Sequence, residues 1–281
     1  MTEFSVDAIR KGDKLALSRV LSRVEADDES GRAALDALFA YTGKAHKIGV
    51  TGPPGSGKSS LVNALAHHLR CAHPDSRVAI IAVDPTSPFT GGAILGDRVR
   101  MPDLQNDPGV FIRSMATRGA LGGLADATLA LSQVFDAAGY DYVLIETVGA
   151  GQAEVDIVTL AHTTIVVDMP GMGDDIQAIK AGILEIADIL VVNKAELPGA
   201  DQTYRNLVLM IEMGYRGTGH INGGHHRLTI ATEARSIEPE GWLPPVLKTT
   251  ALTSQGIAEL EQAIHQHRAY LQASGAWNAK E

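Results

Sequence analysis

From His46 onward, short apolar runs alternate with stretches whose apolar residues recur every three or four positions. The runs are KIGVT, VAIIAVD, VFIR, YVLIE, TTIVVD, DILVVN and PVLKT. Strands apolar on both faces lack the alternation of a half-exposed strand and fit a parallel sheet covered by helices on each side. The spacing predicts helices from Lys58, from about Ala120 and from near Ile257. The expected fold is α/β, a doubly wound, mostly parallel sheet. Ahead of it, Val6 and Ile9, then Leu17, Val20, Leu21 and Val24, then Leu35, Leu38 and Phe39 keep helical spacing, broken by Gly12 and the polar stretch 26–31. They predict two or three helices. The expected division is a helical prefix over 1–43, the α/β domain over 44–273 and a short tail over 274–281. Between Gly214 and Pro245 the composition turns to Gly, His, Thr and Pro, which reads as an insertion, with some helix in TIATEARSI.

Composition narrows the partners. An apolar content of 45% in 281 residues is ample for a packed core. No run approaches the roughly 20 apolar residues of a membrane span, and the start MTEFSVDAIRKGDK lacks the apolar stretch and cleavage site of a secretory signal. A cytoplasmic protein that does not engage membranes is expected. The single cysteine, Cys71, supplies neither a disulfide framework nor a multi-thiolate zinc site. A net charge of -9 without a basic stripe argues against nucleic-acid binding.

The chemistry begins at Gly52. Residues Gly52, Pro53, Pro54, Gly55, Ser56, Gly57, Lys58 and Ser59 read GPPGSGKS, followed by Ser60, between a strand and a helix. That is the context a phosphate-binding P-loop requires, so the fold is expected to be a P-loop NTPase. Glycines let backbone N–H groups converge on phosphate oxygens, and the helix N-terminus adds partial positive charge. Lys58 would neutralise the β- and γ-phosphates, and the Ser59 hydroxyl would ligate Mg²⁺. Magnesium prefers oxygen ligands in octahedral geometry. Asp84 and Glu146 close apolar runs, at the strand ends where α/β sheets bind ligands, and Asp97 lies in the loop GGAILGDRVRM; these acids are the candidate metal-site residues. Gly149 and Gly151, in TVGAGQAE, fall where a loop could sense the γ-phosphate.

The base is addressed by NKAE, Asn193 to Glu196, after the run DILVV. A carboxylate accepts the paired N1–H and amine of guanine, whereas adenine lacks that donor pair and would leave a buried acid unpaired, a preference of roughly 1–3 kcal/mol. Glu196 is therefore expected to read guanine, with Asn193 holding the loop and base and the stem of Lys194 lying across the base plane. The segment TTAL resembles the turn whose backbone N–H meets the guanine oxygen in GTPases, which adds Thr250, Ala251 and Leu252 to the candidates.

The motifs TGPPGSGKSSL, AVDPTSPFTGGAILGDRVRM, FIRSMATRGALGGL, ETVGAGQAE and PGMGDDIQAIKAGILEIADILVVNKAE occur in that order. Together they resemble the MeaB/ArgK/MMAA family of P-loop GTPases, chaperones of adenosylcobalamin-dependent acyl-CoA mutases such as methylmalonyl-CoA mutase. The resemblance spans roughly Lys44 to Arg268. It implies GTP/GDP and Mg²⁺ as ligands, a mutase partner, a homodimer, and a site using Lys58, Ser59, Asp84, Asp97 and Glu146; with no certain water-positioning residue or arginine finger in the sequence, GTP hydrolysis is expected to be slow alone and faster with the mutase bound. It also makes GDDIQAIK a loop that signals nucleotide state, with Asp174, Asp175, Gln177 and Lys180 as candidates. The family's usual acid at Glu196 is Asp. Lys180, Arg113 and Arg118 are candidates for stabilising charge during phosphoryl transfer. Two other classes compete: a nickel-insertion GTPase, suggested by His220, His225 and His226 in GHINGGHHR, and an ATP-dependent small-molecule kinase. A transport-associated ATPase is a third, weaker alternative. The Cys-Pro-His motif expected of the nickel class is absent from the sequence.

Overall fold

The computed structural model describes residues 4–84, 101–116, 121–147, 160–171, 186–217 and 241–280. Three short helices open the chain: α1 (Val6–Arg10), α2 (Lys14–Glu25) and α3 (Glu29–Phe39). Each starts where a side-chain oxygen accepts from a first-turn N–H: Ser5 from Ala8, Asp13 from Leu15 and Ala16, and Asp28 from Gly31. Such caps are worth about 1 kcal/mol each. Gly31 lets α3 close on α2, since a Cβ there would lie 2.4 Å from the Arg23 carbonyl oxygen.

All seven expected runs form strands: β1 (His46–Thr51), β2 (Val78–Asp84), β3 (Val110–Ala116), β4 (Tyr142–Thr147), β5 (Thr163–Asp168), β6 (Ile189–Val192) and β7 (Val246–Lys248). They pair in parallel throughout, in the order β3-β2-β4-β1-β5-β6-β7. Helices α4 (Lys58–Ala72), α5 (Pro102–Gln105), α6 (Leu121–Ala137), α7 (Ala200–Gly217), α8 (Ile257–Ser274) and α9 (Ala276–Ala279), with a 3₁₀ turn at Ala251–Thr253, complete the described elements. Two large cores result, one on each sheet face, with two smaller clusters beside β5, β6 and α7. On one, Leu61, Leu65 and Leu69 of α4 and Leu260 and Ile264 of α8 pack over Ile48, Ile80 and Ile165. On the other, Ile9, Leu17, Leu21 and Leu38 of the helical prefix join Val134 and Phe135 of α6 over Ile81, Val143 and Ile145. The prefix thus shares the core of the sheet. Its link to β1 is fixed by Asp136, whose carboxylate accepts from the N–H groups of Gly43, Lys44 and Ala45 at 2.7, 3.1 and 3.0 Å.

Two differences from the expected elements stand out. Helix α7 is long and carries buried Ala200, Thr203 and Leu207 against β6 and β7, although no helix is expected there from the sequence. The expected tail folds back as α9, which buries Trp277 against His162 and His46. The segments GDDIQAIK, GHINGGHHR and TIATEARSI lie outside the described residues. Among the described residues, no helix is long and apolar enough to cross a membrane.

Candidate functional site

The loop from β1 to α4 runs through three left-handed glycines, Gly52 (φ 142), Gly55 (φ 80) and Gly57 (φ 90). Two of them also make room. A Cβ at Gly52 would meet the Val167 carbonyl oxygen of β5 at 2.0 Å, and one at Gly57 would meet Asn193 Nδ2 at 2.4 Å. Gly57 caps α4 with no side-chain hydrogen bond, so a bound anion can take the role that a capping oxygen fills elsewhere. Lys58 is buried, and its Nζ donates to the carbonyls of Gly52 at 2.8 Å and Pro53 at 3.1 Å. The ammonium is therefore held within the curl of the loop, beside the anion cradle.

The Ser59 hydroxyl donates to Oε1 of Glu146, which is buried on β4 with Val50 and Ala82 as its register neighbours on β1 and β2. A hydroxyl and a buried carboxylate in contact form the all-oxygen donor set that a hard cation such as Mg²⁺ prefers. Asp84 closes β2 at the same carboxyl edge of the sheet. Asp97, Gly149, Gly151, Arg118 and Lys180 lie outside the described residues. Asp168, not singled out in the sequence, ends β5 at this edge; burial pushes its carboxyl up, against the Met169 N–H that hydrogen-bonds it at 2.7 Å. Its signal was available: an acid closing the apolar run TTIVV, as Asp84 and Glu146 close theirs.

Asn193 joins three loops. Its Nδ2 donates to the Ser56 carbonyl at 2.9 Å, while its Oδ1 accepts from Thr249 Oγ1 at 3.1 Å and the Ala251 N–H at 3.2 Å. Lys194, with φ 55, reaches the Gly55 carbonyl through Nζ at 2.7 Å. The phosphate loop, Asn193 and Lys194, and the turn carrying Thr250, Ala251 and Leu252 are thereby one hydrogen-bonded unit. Two N–H groups of that turn are already engaged, Thr250 with the Gln255 carbonyl at 3.0 Å and Ala251 with Asn193. Leu252 is 86% exposed, and Glu196 is exposed on the turn after Asn193. Arg113 takes no part: it sits on edge strand β3, and its guanidinium is bound to Glu25 and Ser22 of α2. It braces the prefix against the sheet.

The family model described as methylmalonyl Co-A mutase-associated GTPase MeaB matches residues 15–281. A protein of Pyrococcus horikoshii is 46% identical over 270 residues, covering 96% of this chain and 78% of that one. GTPase ArgK of Escherichia coli is 36% identical over 275 residues, 96% of this chain and 77% of ArgK. The mouse methylmalonic aciduria type A homolog is 31% identical over 237 residues, 83% of this chain and 52% of the mouse protein. Among solved structures, a LAO/AO transport system kinase superposes with a TM-score of 0.70 at 28% identity, over 98% of this chain and 77% of that one. HypB from Helicobacter pylori, solved with nickel, reaches 0.51 at 14% identity over 89% of this chain and 96% of HypB, a likeness of fold alone.

Proposed function

Since this chain belongs to the MeaB family of methylmalonyl-CoA mutase-associated GTPases, we propose that it is a Mg²⁺-dependent GTPase that guards an adenosylcobalamin-dependent acyl-CoA mutase and gates its cofactor loading. The observation that carries the guanine reading is the Asn193 junction, which ties the NKAE segment to the phosphate loop and to the Thr250–Leu252 turn. Base and phosphates would then be held by one connected unit, so a nucleotide gripped at one end is registered at the other.

In this reading the phosphate loop and Lys58 hold the phosphates, and the N-terminus of α4 adds its partial positive charge. Ser59 and Glu146, with Asp84 and Asp97, would hold Mg²⁺, which supplies charge neutralisation on the β- and γ-oxygens when bound. Glu196, exposed beside Lys194, would accept the paired donors of guanine. In this reading hydrolysis is slow alone and faster when a mutase docks and supplies a charge-stabilising group, the step that phosphoryl transfer depends on. The chain is proposed to act as a homodimer in the cytoplasm.

Calorimetric competition between GDP and ADP, on the wild type and on Glu196→Ala, tests the base assignment. A GDP preference of about tenfold, about 1.4 kcal/mol, that vanishes in the variant supports it. Equal binding of the two nucleotides would favour a kinase or ATPase. GTP turnover measured with and without a cognate mutase tests the partner, and a stimulation below about twofold would remove it.

A further inference from the structure

Helix α4 carries the phosphate loop at one end and a second cluster at the other. His73 caps its C-terminus, and His68 lies just over one turn earlier. Across from them, Glu261 and His265 stand four residues apart on α8, the spacing that puts two side chains on one helix face. Glu261 accepts from His68 Nε2 and from His73 Nε2, each at 2.7 Å. One ligand atom from each of His73, Glu261 and His265 lies within 4.8 Å of the others.

We propose that His73, Glu261 and His265 bind a divalent transition-metal ion of the zinc class, fastening the end of the phosphate-loop helix to α8. Two imidazoles and one carboxylate are a donor set that zinc accepts, with water completing a tetrahedron. The ring of His265 is oriented through Nε2, which pairs with the Tyr142 hydroxyl at 3.0 Å, as an outer partner fixes a ligating histidine and leaves its other nitrogen for the metal. The C-terminus of α4 contributes partial negative charge at the same place. Arg268, one turn beyond His265, is drawn elsewhere, to the Lys44 carbonyl at 3.3 Å and over the Trp277 ring. The side chain of His73 is 47% exposed, so an ion can enter without opening the core, whereas that of Glu261 is 12% exposed and so partly screened from water. Binding would replace the His73–Glu261 hydrogen bond with two coordinate bonds and leave His68 on the second carboxylate oxygen. The site is about 20 Å along α4 from the phosphate loop by helix rise, so it is separate from the Mg²⁺ positions and independent of the GTPase reading.

The test is zinc binding by the full chain, stripped with chelator and held in millimolar Mg²⁺ without nucleotide, followed by calorimetry and by metal analysis after gel filtration. One Zn²⁺ per chain with a raised unfolding midpoint is expected. Glu261→Gln and His265→Ala should each weaken it by about tenfold or more, with GDP binding retained as the check on folding. Cys71→Ser should leave it unchanged, which excludes the exposed pair that Cys71 Sγ makes with His67 Nδ1 at 3.7 Å. Absence of saturable binding, undiminished affinity in both variants, or loss in Cys71→Ser would each overturn the assignment.

Discussion

Acid should weaken this fold through a cluster of buried histidines at the end of the sheet opposite the nucleotide loops. His46 starts β1 and shares Thr163 Oγ1 with His267, at 2.7 and 2.9 Å; His162 stacks on Trp277 at 3.9 Å. All three are fully or almost fully buried. Burial pushes His162 down to about 3 and His267 to about 4, nearby cations adding to the effect, and it holds His46 well below 6.5. A histidine depressed in the fold contributes its full stability above the unfolded value of 6.5 and loses it as pH falls toward the folded value. At pH 5 the unfolded chain has taken up nearly a whole proton at each site and the fold almost none. The loss is about 2 kcal/mol for His162; His46 acts in the same direction, and His267 does so less, because its Nε2 lies 3.3 Å from Asp188 Oδ1, which favours the charged ring. Against a global stability of about 5–15 kcal/mol, this is a large part. The buried carboxyls of Asp168 and Asp188, raised by burial, oppose it. The comparison that isolates a histidine is therefore urea unfolding of the wild type and His162→Gln between pH 5 and 6. The wild type should show the steeper rise of stability with pH, by about 1 kcal/mol per unit. Equal slopes would refute the reasoning.

Three further outcomes are expected. Asn193→Ala should lower the stability of the nucleotide-free protein by about 3 kcal/mol, because it strands the Ala251 N–H and Ser56 carbonyl as well as removing their bonds, and should weaken GDP binding; urea unfolding and calorimetry check both, and a loss under about 1 kcal/mol contradicts the junction. Arg113→Ala should destabilise the chain by about 1–3 kcal/mol while GTP turnover stays within about twofold; loss of turnover at unchanged stability would instead make Arg113 a charge-stabilising group. Chelation of Mg²⁺ should abolish GTP hydrolysis in a phosphate-release assay, and Glu146→Gln should raise the Mg²⁺ concentration needed to restore it by about tenfold or more; wild-type dependence in the variant would remove Glu146 from the metal site.

The sheet was legible because burial on both faces leaves little but apolar residues, so KIGVT and YVLIE stand out as runs and GPPGSGKS between strand and helix fixes the loop chemistry. Strand order was not legible, since parallel pairing is set by how crossovers pack rather than by any residue within a strand. Helix α7 was legible in principle: Ala200, Thr203, Tyr204, Leu207 and Ile211 keep helical spacing and pack on the sheet, and the expectation of strands and motifs alone passed over them. The role of Arg113 was equally hidden: its partner Glu25 is 88 residues away in sequence. The sequence marks Asn193 as a residue that holds the loop and base, but its bonds to Ser56, Thr249 and Ala251 are visible only once three loops meet at the sheet edge.

That meeting gives the P-loop glycines a second meaning. Gly57 is usually explained by the phosphate, which needs backbone N–H groups to approach closely. Here a side chain at Gly57 would also displace the Asn193 amide, and one at Gly52 would strike β5. Lys194, in a left-handed conformation, reaches back to Gly55, so the Asn193–Lys194 segment touches the loop at two of its residues. The geometry of the phosphate loop is therefore coupled to that of the Asn193–Lys194 segment, which is proposed to hold the base. A partner that moves the Asn193 segment moves the phosphate loop with it, and this rigid linkage supplies a physical route by which docking at the nucleotide edge could alter turnover without placing any group of its own on the phosphates.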